Sequence, residues 1–268
     1  MYLSGCAITH TGKVREHNED NFRLFDTYHK NIKLNRQRLC SKSRGKKAIA
    51  AVLDGVGGEQ AGELAALMAA ETLVPLDIKK ELIEKQIQQV NQKVCSLSGS
   101  CGHTATTAAI LYFDNGKAIS CNLGDSRVYM FRNAELKLLT HDHTEGQRMV
   151  DMNILGEKEA RKEAGWHRLT QYLGVMPDDF VLEPFFGPLI EMEKGDIFVL
   201  ASDGLTDMVM DEELRLIMKD MTCEPKQKRG GLLQKNYSKM IAEKLLTQAL
   251  VRGGKDNTTI VVIEVKQV

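Results

Sequence analysis

The chain predicts an α+β fold with antiparallel sheet, and three observations carry that prediction. Apolar, β-prone runs arrive in blocks rather than alternating one for one with helices. Helical periodicities come as two pairs, one within residues 61–97 and one within 211–251. Two continuous apolar runs, Ala48–Leu53 and Ile197–Ala201, each lead into a turn holding an Asp-Gly step, as buried strands do.

Taken in order, Leu3–Thr9 and Asn21–Phe25 read as strands, then Ala48–Leu53. Glycines 55, 57 and 58 allow a tight turn. A helix follows, with Ala61, Leu64, Ala65, Met68 and Leu73 on one face and Pro75 closing it. A second spans about Ile78–Leu97, its apolar residues at helical spacing, with Gly99 and Gly102 ending it. Thr104–Phe113, Lys117–Leu123 and Arg127–Phe131 are β-prone, the first two joined by an Asn115-Gly116 hairpin turn. Residues 141–186 turn polar and mixed, with a short helix near Glu157–Glu163. Helices at Asp211–Met221 and Tyr237–Val251 follow the strand at 197–201, Gly253-Gly254 stops the second, and Thr258–Val265 closes as a strand.

A 268-residue chain that is 43% hydrophobic can bury a sizeable core in one large domain or two small ones. Lys+Arg and Asp+Glu both total 36, and aromatics are 6%, which argues against a nucleic-acid partner. No apolar run spans a bilayer, and the start Met1-Tyr-Leu-Ser lacks the charged and apolar regions of a signal peptide. A cytosolic chain is expected, with Cys6, Cys40, Cys95, Cys101, Cys121 and Cys223 as free thiols. The segment His29–Lys47 carries eight Lys and Arg residues and no acid, and reads as a solvated loop able to attract an acidic partner. A second basic loop lies near Lys226–Lys239.

The chemistry sits in short motifs: Arg15-Glu-His-Asn-Glu-Asp20, Asp54-Gly-Val-Gly-Gly58, Gly124-Asp-Ser-Arg127, Ala201-Ser-Asp-Gly204 and Lys255-Asp-Asn-Thr-Thr259. Any one Asp-Gly alone reads as a turn. Carboxylates gathered at one place repel, and burying them is costly unless cations compensate; hard ions such as Mg²⁺ or Mn²⁺ are the usual compensation.

In this order the motifs resemble the metal-dependent protein phosphatase family, type 2C, and its compact bacterial branch in particular, from about Gly5 to Val265. The resemblance implies a four-layer α-β-β-α sandwich, two antiparallel sheets flanked by helices, forming one catalytic domain over 1–268 with a flap at about 141–186. It implies hydrolysis of phosphoserine and phosphothreonine in proteins by a hydroxide bridging two Mn²⁺ or Mg²⁺ ions. Asp20, Asp54, Asp203 and Asp256 match the direct ligands, with Asp54 bridging. Glu19 matches a ligand acting through water, Gly55 one acting through its carbonyl, and Arg15 the phosphate clamp. Asp125 matches a residue that, with Asp203, holds a third ion in bacterial members; it reads equally as a hairpin-turn Asp. Phosphorylated proteins, a cognate serine/threonine kinase and its substrates are the implied partners of a monomer.

Two positions depart from the family pattern. Many eukaryotic members place a His proposed as proton donor where this chain has Val56, and bacterial members often have His where it has Glu59. An aliphatic side chain cannot donate a proton, so the alternative is a pseudophosphatase that binds a phosphorylated partner without turnover. Retention of every metal carboxylate argues against it.

Overall fold

The computed structural model describes residues 1–30, 35–56, 61–97, 104–163, 165–176, 179–223 and 236–268. Gly57, Gly58, Glu59, Gly99, Gly102 and most of the 226–239 basic segment lie outside the described residues. The strands are β1 (Tyr2–His10), β2 (Asn21–Leu24), β3 (Thr27–Tyr28), β4 (Arg36–Arg44), β5 (Lys47–Leu53), β6 (Gly55–Val56), β7 (Ala105–Thr106), β8 (Ala108–Asp114), β9 (Lys117–Leu123), β10 (Arg127–Arg132), β11 (Glu135–Leu138), β12 (Phe185–Phe186), β13 (Ile190–Glu191), β14 (Ile197–Ala201) and β15 (Thr258–Gln267). The helices are α1 (Ala61–Thr72), α2 (Lys80–Cys95), α3 (Glu145–Asp151), α4 (Glu157–Ala160), α5 (Asp203–Thr206), α6 (Asp211–Cys223) and α7 (Tyr237–Val251).

One sheet runs β11-β10-β14-β15-β1-β4, the other β12-β9-β8-β5-β2-β3 with β13 also on β9. Every pairing is antiparallel. The way the layers stack is visible in β5. Ala48, Ala50 and Val52 face the other sheet, while Ile49, Ala51 and Leu53 face α1 and α2. A strand buried on both faces must be apolar at every position, which is why its sequence shows no alternation. Phe22, Phe113, Phe198 and Val261 fill the space between the sheets. On the outer face of the β1–β15 sheet, Ile8, Tyr129, Val199 and Val262 meet Leu214, Met218, Ile241 and Leu245 of α6 and α7. The layers are therefore α-β-β-α, as the resemblance implied. Buried Arg23 secures one of these contacts, its Nη1 donating to the Ala70 carbonyl at the end of α1 (3.0 Å).

Three expectations are corrected. The basic segment is not a solvated loop: Arg36–Arg44 is an edge strand paired with β1 over its full length. Gln37, Leu39, Ser41 and Ser43 turn inward and Arg36, Arg38, Lys42 and Arg44 turn outward, while His29 is buried and stacks on Phe22 at 6.0 Å. Charges along an edge keep it from pairing with other chains, so a basic strand is stable there. The cysteines are not all free either. Cys6 and Cys40 stand directly opposite in the β1–β4 register and form a disulfide; Cys95 and Cys121 are free. The expected strand at 104–113 is divided at Thr107, where the chain leaves β6 and joins β5. No helix among the described residues is long and apolar enough to cross a membrane.

Candidate active site

The site lies where β1, β5, β9 and β14 end and β15 begins. The loop after β1 carries Arg15, Glu19 and Asp20, and it is fastened to the turn before β15. Asn257 does most of this: its Nδ2 donates to the carbonyls of Thr11 and His17 (both 2.8 Å), and its Oδ1 accepts the Glu19 N–H (2.8 Å). Lys13 N–H donates to the Gly254 carbonyl at 2.7 Å. Gly12 sits at φ +86°, and a Cβ there would press on the Gly254 carbonyl at 2.8 Å, so only glycine lets the two loops touch.

Asp54 caps β5. Its N–H donates to Thr107 Oγ1 (3.1 Å), and its carbonyl accepts the Thr107 N–H (2.8 Å) and the Thr106 hydroxyl (3.0 Å). The backbone of Gly55 passes so close to Glu19 that a Cβ would lie 2.6 Å from the Glu19 carbonyl oxygen. Asp125 is buried in the β9–β10 turn, and Asp203 opens α5 immediately after Ser202. Ser202 Oγ donates to Asp20 Oδ2 at 2.8 Å and accepts the Thr259 N–H at 2.9 Å. Arg15 Nη2 pairs with Asp256 Oδ2 at 2.7 Å.

All eight residues expected from sequence converge. A cleft of about 410 Å³ is lined by Arg15, Glu19, Asp54, Gly55, Asp125, Asp203 and Asp256. Asp20 lies beneath it, close enough to Asp203 and Asp256 that their charges raise its pKa. Asp125 is thus at once a residue of the β9–β10 turn and part of the cleft wall. Val56 lines the same cleft, with His17, His167 and Leu169.

Electrostatically the site is under stress. Burial pushes Asp20 up to about 7, opposed by hydrogen bonds from Thr259 and Ser202 and reinforced by Asp203 and Asp256. Burial, then Asp207 and Asp256, push Asp203 up to about 6. Asp54 and Asp125 are driven well above the usual carboxylate range, first by burial and next by Asp20 and Asp203 respectively. Burial raises Glu19 as well, against the pull of Arg15. Asp20 Oδ1 and Asp203 Oδ1 are buried with no hydrogen-bond partner. Native proteins rarely leave such atoms orphaned without a functional reason.

The protein phosphatase 2C family model matches residues 12–148, half of the chain. The chain belongs to that family. This phosphatase is 28% identical, over 96% of its own length and 93% of the relative's, to a Listeria monocytogenes protein named serine/threonine phosphatase stp. Among solved structures it is similar to the Ser-Thr phosphatase MsPP of Mycobacterium smegmatis in complex with cacodylate (27% identity, TM-score 0.70, 97% of each chain). It shares its fold with the serine/threonine phosphatase PstP/Ppp of Mycobacterium tuberculosis (24% identity, TM-score 0.76, 100% of each chain).

Sequence reasoning missed four contributors: Ser202 and Thr107, which hold the backbone and carboxyl of neighbouring aspartates, and His167 and Asp207 beside Asp203. Ser202 was signalled by its place in Ala-Ser-Asp-Gly. A single His in a polar segment carries no such signal.

Proposed function

We propose that this phosphatase hydrolyses phosphoserine and phosphothreonine in proteins, using Mn²⁺ or Mg²⁺ held by Asp20, Asp54, Asp203, Asp256, the Gly55 carbonyl and, through water, Glu19. The carrying observation is the pair of orphaned oxygens, Asp20 Oδ1 and Asp203 Oδ1, in a cluster of carboxylates that burial drives toward protonation. The donors are all oxygen, which suits hard divalent ions. When bound, two such ions supply a nucleophile at neutral pH and neutralise charge on the phosphoryl oxygens.

The remaining work falls to the protein. Arg15 reaches over the cleft edge and binds the phosphate dianion through charge-assisted hydrogen bonds, exchanging its present partner Asp256 for it. Asn257 fixes Arg15's loop, so the clamp arrives pre-positioned. Ser202 fixes one oxygen of Asp20 and leaves the other free to coordinate. Val56 contributes no proton; His17 and His167 stand on the same cleft wall.

The chain acts as one catalytic domain over 1–268, with residues 141–186 as a flap that contacts the phosphopeptide. It works as a cytoplasmic monomer on phosphorylated proteins, including a cognate serine/threonine kinase and its targets, and needs neither nucleic acid nor membrane. The binding-only alternative is not favoured, because a scaffold would not need the intact carboxylate set. The test is hydrolysis of p-nitrophenyl phosphate and a phosphothreonine peptide with EDTA or added Mn²⁺. Metal-dependent turnover that vanishes in Asp54→Ala supports the reading, and metal binding without turnover overturns it.

A further inference from the structure

One cluster in the cleft wall has a composition that hard-ion ligation alone does not require. Asp125, His167 and Asp203 each present one donor atom, and the three atoms lie within 4.8 Å of one another. The carboxylates come from the rigid floor, at the β9–β10 turn and the start of α5. The imidazole comes from the 141–186 segment, far away in sequence.

His167 is not there by chance of a loose loop. Its neighbour Trp166 is buried, is stacked under Arg161 at 5.2 Å, and packs on Gly146. On the other side, the Arg168 carbonyl accepts the Glu145 N–H (2.9 Å) and Thr170 N–H donates to the His143 carbonyl (2.9 Å). Thr144 bridges Leu169 and caps α3. The backbone is therefore pinned before and after His167, whose own side chain remains exposed beside two carboxylates. Its Nε2 lies 3.6 Å from Asp207 Oδ2, which can orient the ring. On the floor, the buried Asp203 Oδ1 still lacks a partner.

We propose that His167 supplies a nitrogen ligand that, with Asp125 and Asp203, completes a mixed nitrogen–oxygen divalent site and ties the 141–186 segment to the catalytic floor. The family resemblance implied only the two carboxylates; the structure adds the histidine beside them. Imidazole favours first-row transition ions and contributes little toward Mg²⁺, so the site selects Mn²⁺ over Mg²⁺. The inference rests on the metal-dependent reading above, and its test separates the two.

The probe is Mn²⁺ alone, added to the full chain and followed by pulsed electron paramagnetic resonance for imidazole ¹⁴N coupling, alongside a binding isotherm. Trp166, the single tryptophan, reports the same site through paramagnetic quenching of its emission. Wild type should show ¹⁴N coupling and quenching, with Mg²⁺ displacing that ion poorly. His167→Gln should lose both signals and weaken one class of Mn²⁺ by about tenfold or more, leaving the Asp54-dependent class intact. Asp125→Asn, which keeps His167, should weaken the same class. Mn²⁺ binding without nitrogen coupling, or coupling that survives in His167→Gln, overturns the proposal while the phosphatase reading stands. Absence of any Asp54-dependent Mn²⁺ binding overturns both.

Discussion

Stripping divalent cations from this phosphatase should make it less stable as pH rises, the reverse of a protein held by ion-paired carboxylates. Asp20 stands at about 7 and Asp203 at about 6 in the fold, against 3.8 for an ordinary Asp, chiefly because both are buried. Between these values the folded chain holds protons that the unfolded chain has released. Stability from each group is therefore complete below about pH 4 and is lost as pH climbs through the folded value. At 1.36 kcal/mol per pH unit, Asp20 forfeits at most about 4 kcal/mol and Asp203 about 3. The combined loss is smaller than the sum, because part of Asp20's rise is Asp203's charge. Urea denaturation in EDTA at pH 5.5 and pH 8 reads the difference directly. Mn²⁺ at a hundredfold excess over its Kd should return about 2.7 kcal/mol at pH 8. Asp54→Asn removes the central charge, and in EDTA it should flatten the slope and exceed wild type in stability at pH 8. An EDTA profile that is flat or rises toward pH 8, or an unchanged slope in Asp54→Asn, would refute the reasoning.

Two further outcomes are expected. Arg127→Ala should cost about 3–5 kcal/mol in urea unfolding, since it strands Asp142, its partner in a nearly fully buried pair at 2.6 Å. Asn257→Ala should raise KM for phosphopeptide several-fold more than it lowers kcat, because three hydrogen bonds that position the Arg15 loop are lost while no carboxylate is touched.

What the sequence disclosed and what it hid follow from physical range. Strands such as β5 and β14 are apolar throughout because both faces are covered, and their ends at Asp54 and before Asp203 are marked by turn chemistry that needs no partner to be recognised. The eight residues that meet at the cleft were singled out by the order of their motifs and its family resemblance, since any one motif alone reads as a turn. The strand β4 was hidden because its inward face is only Gln37, Leu39, Ser41 and Ser43, too polar to show a period of two. Cys6–Cys40 was hidden because pairing depends on the β1–β4 register, which no local signal sets. The roles of His167 and Asn257 depend on what lies opposite them, between 36 and 246 positions away in the chain.

The fastening of residues 9–19 to residues 257–259 has a consequence for how the enzyme comes into being. Thr9 meets Thr259 across 250 positions, and Asn257 meets Thr11 across 246. Contacts of such high order form late, since loop closure must be completed before they reward the chain. During synthesis, the β5, β8 and β9 strands of the other sheet and the first helix pair can condense while the Arg15 loop still has nothing to hold it. Catalytic competence is thus deferred until β15 docks between β14 and β1, and a nascent or truncated chain lacking β15 has neither a continuous second sheet nor a held Arg15 loop.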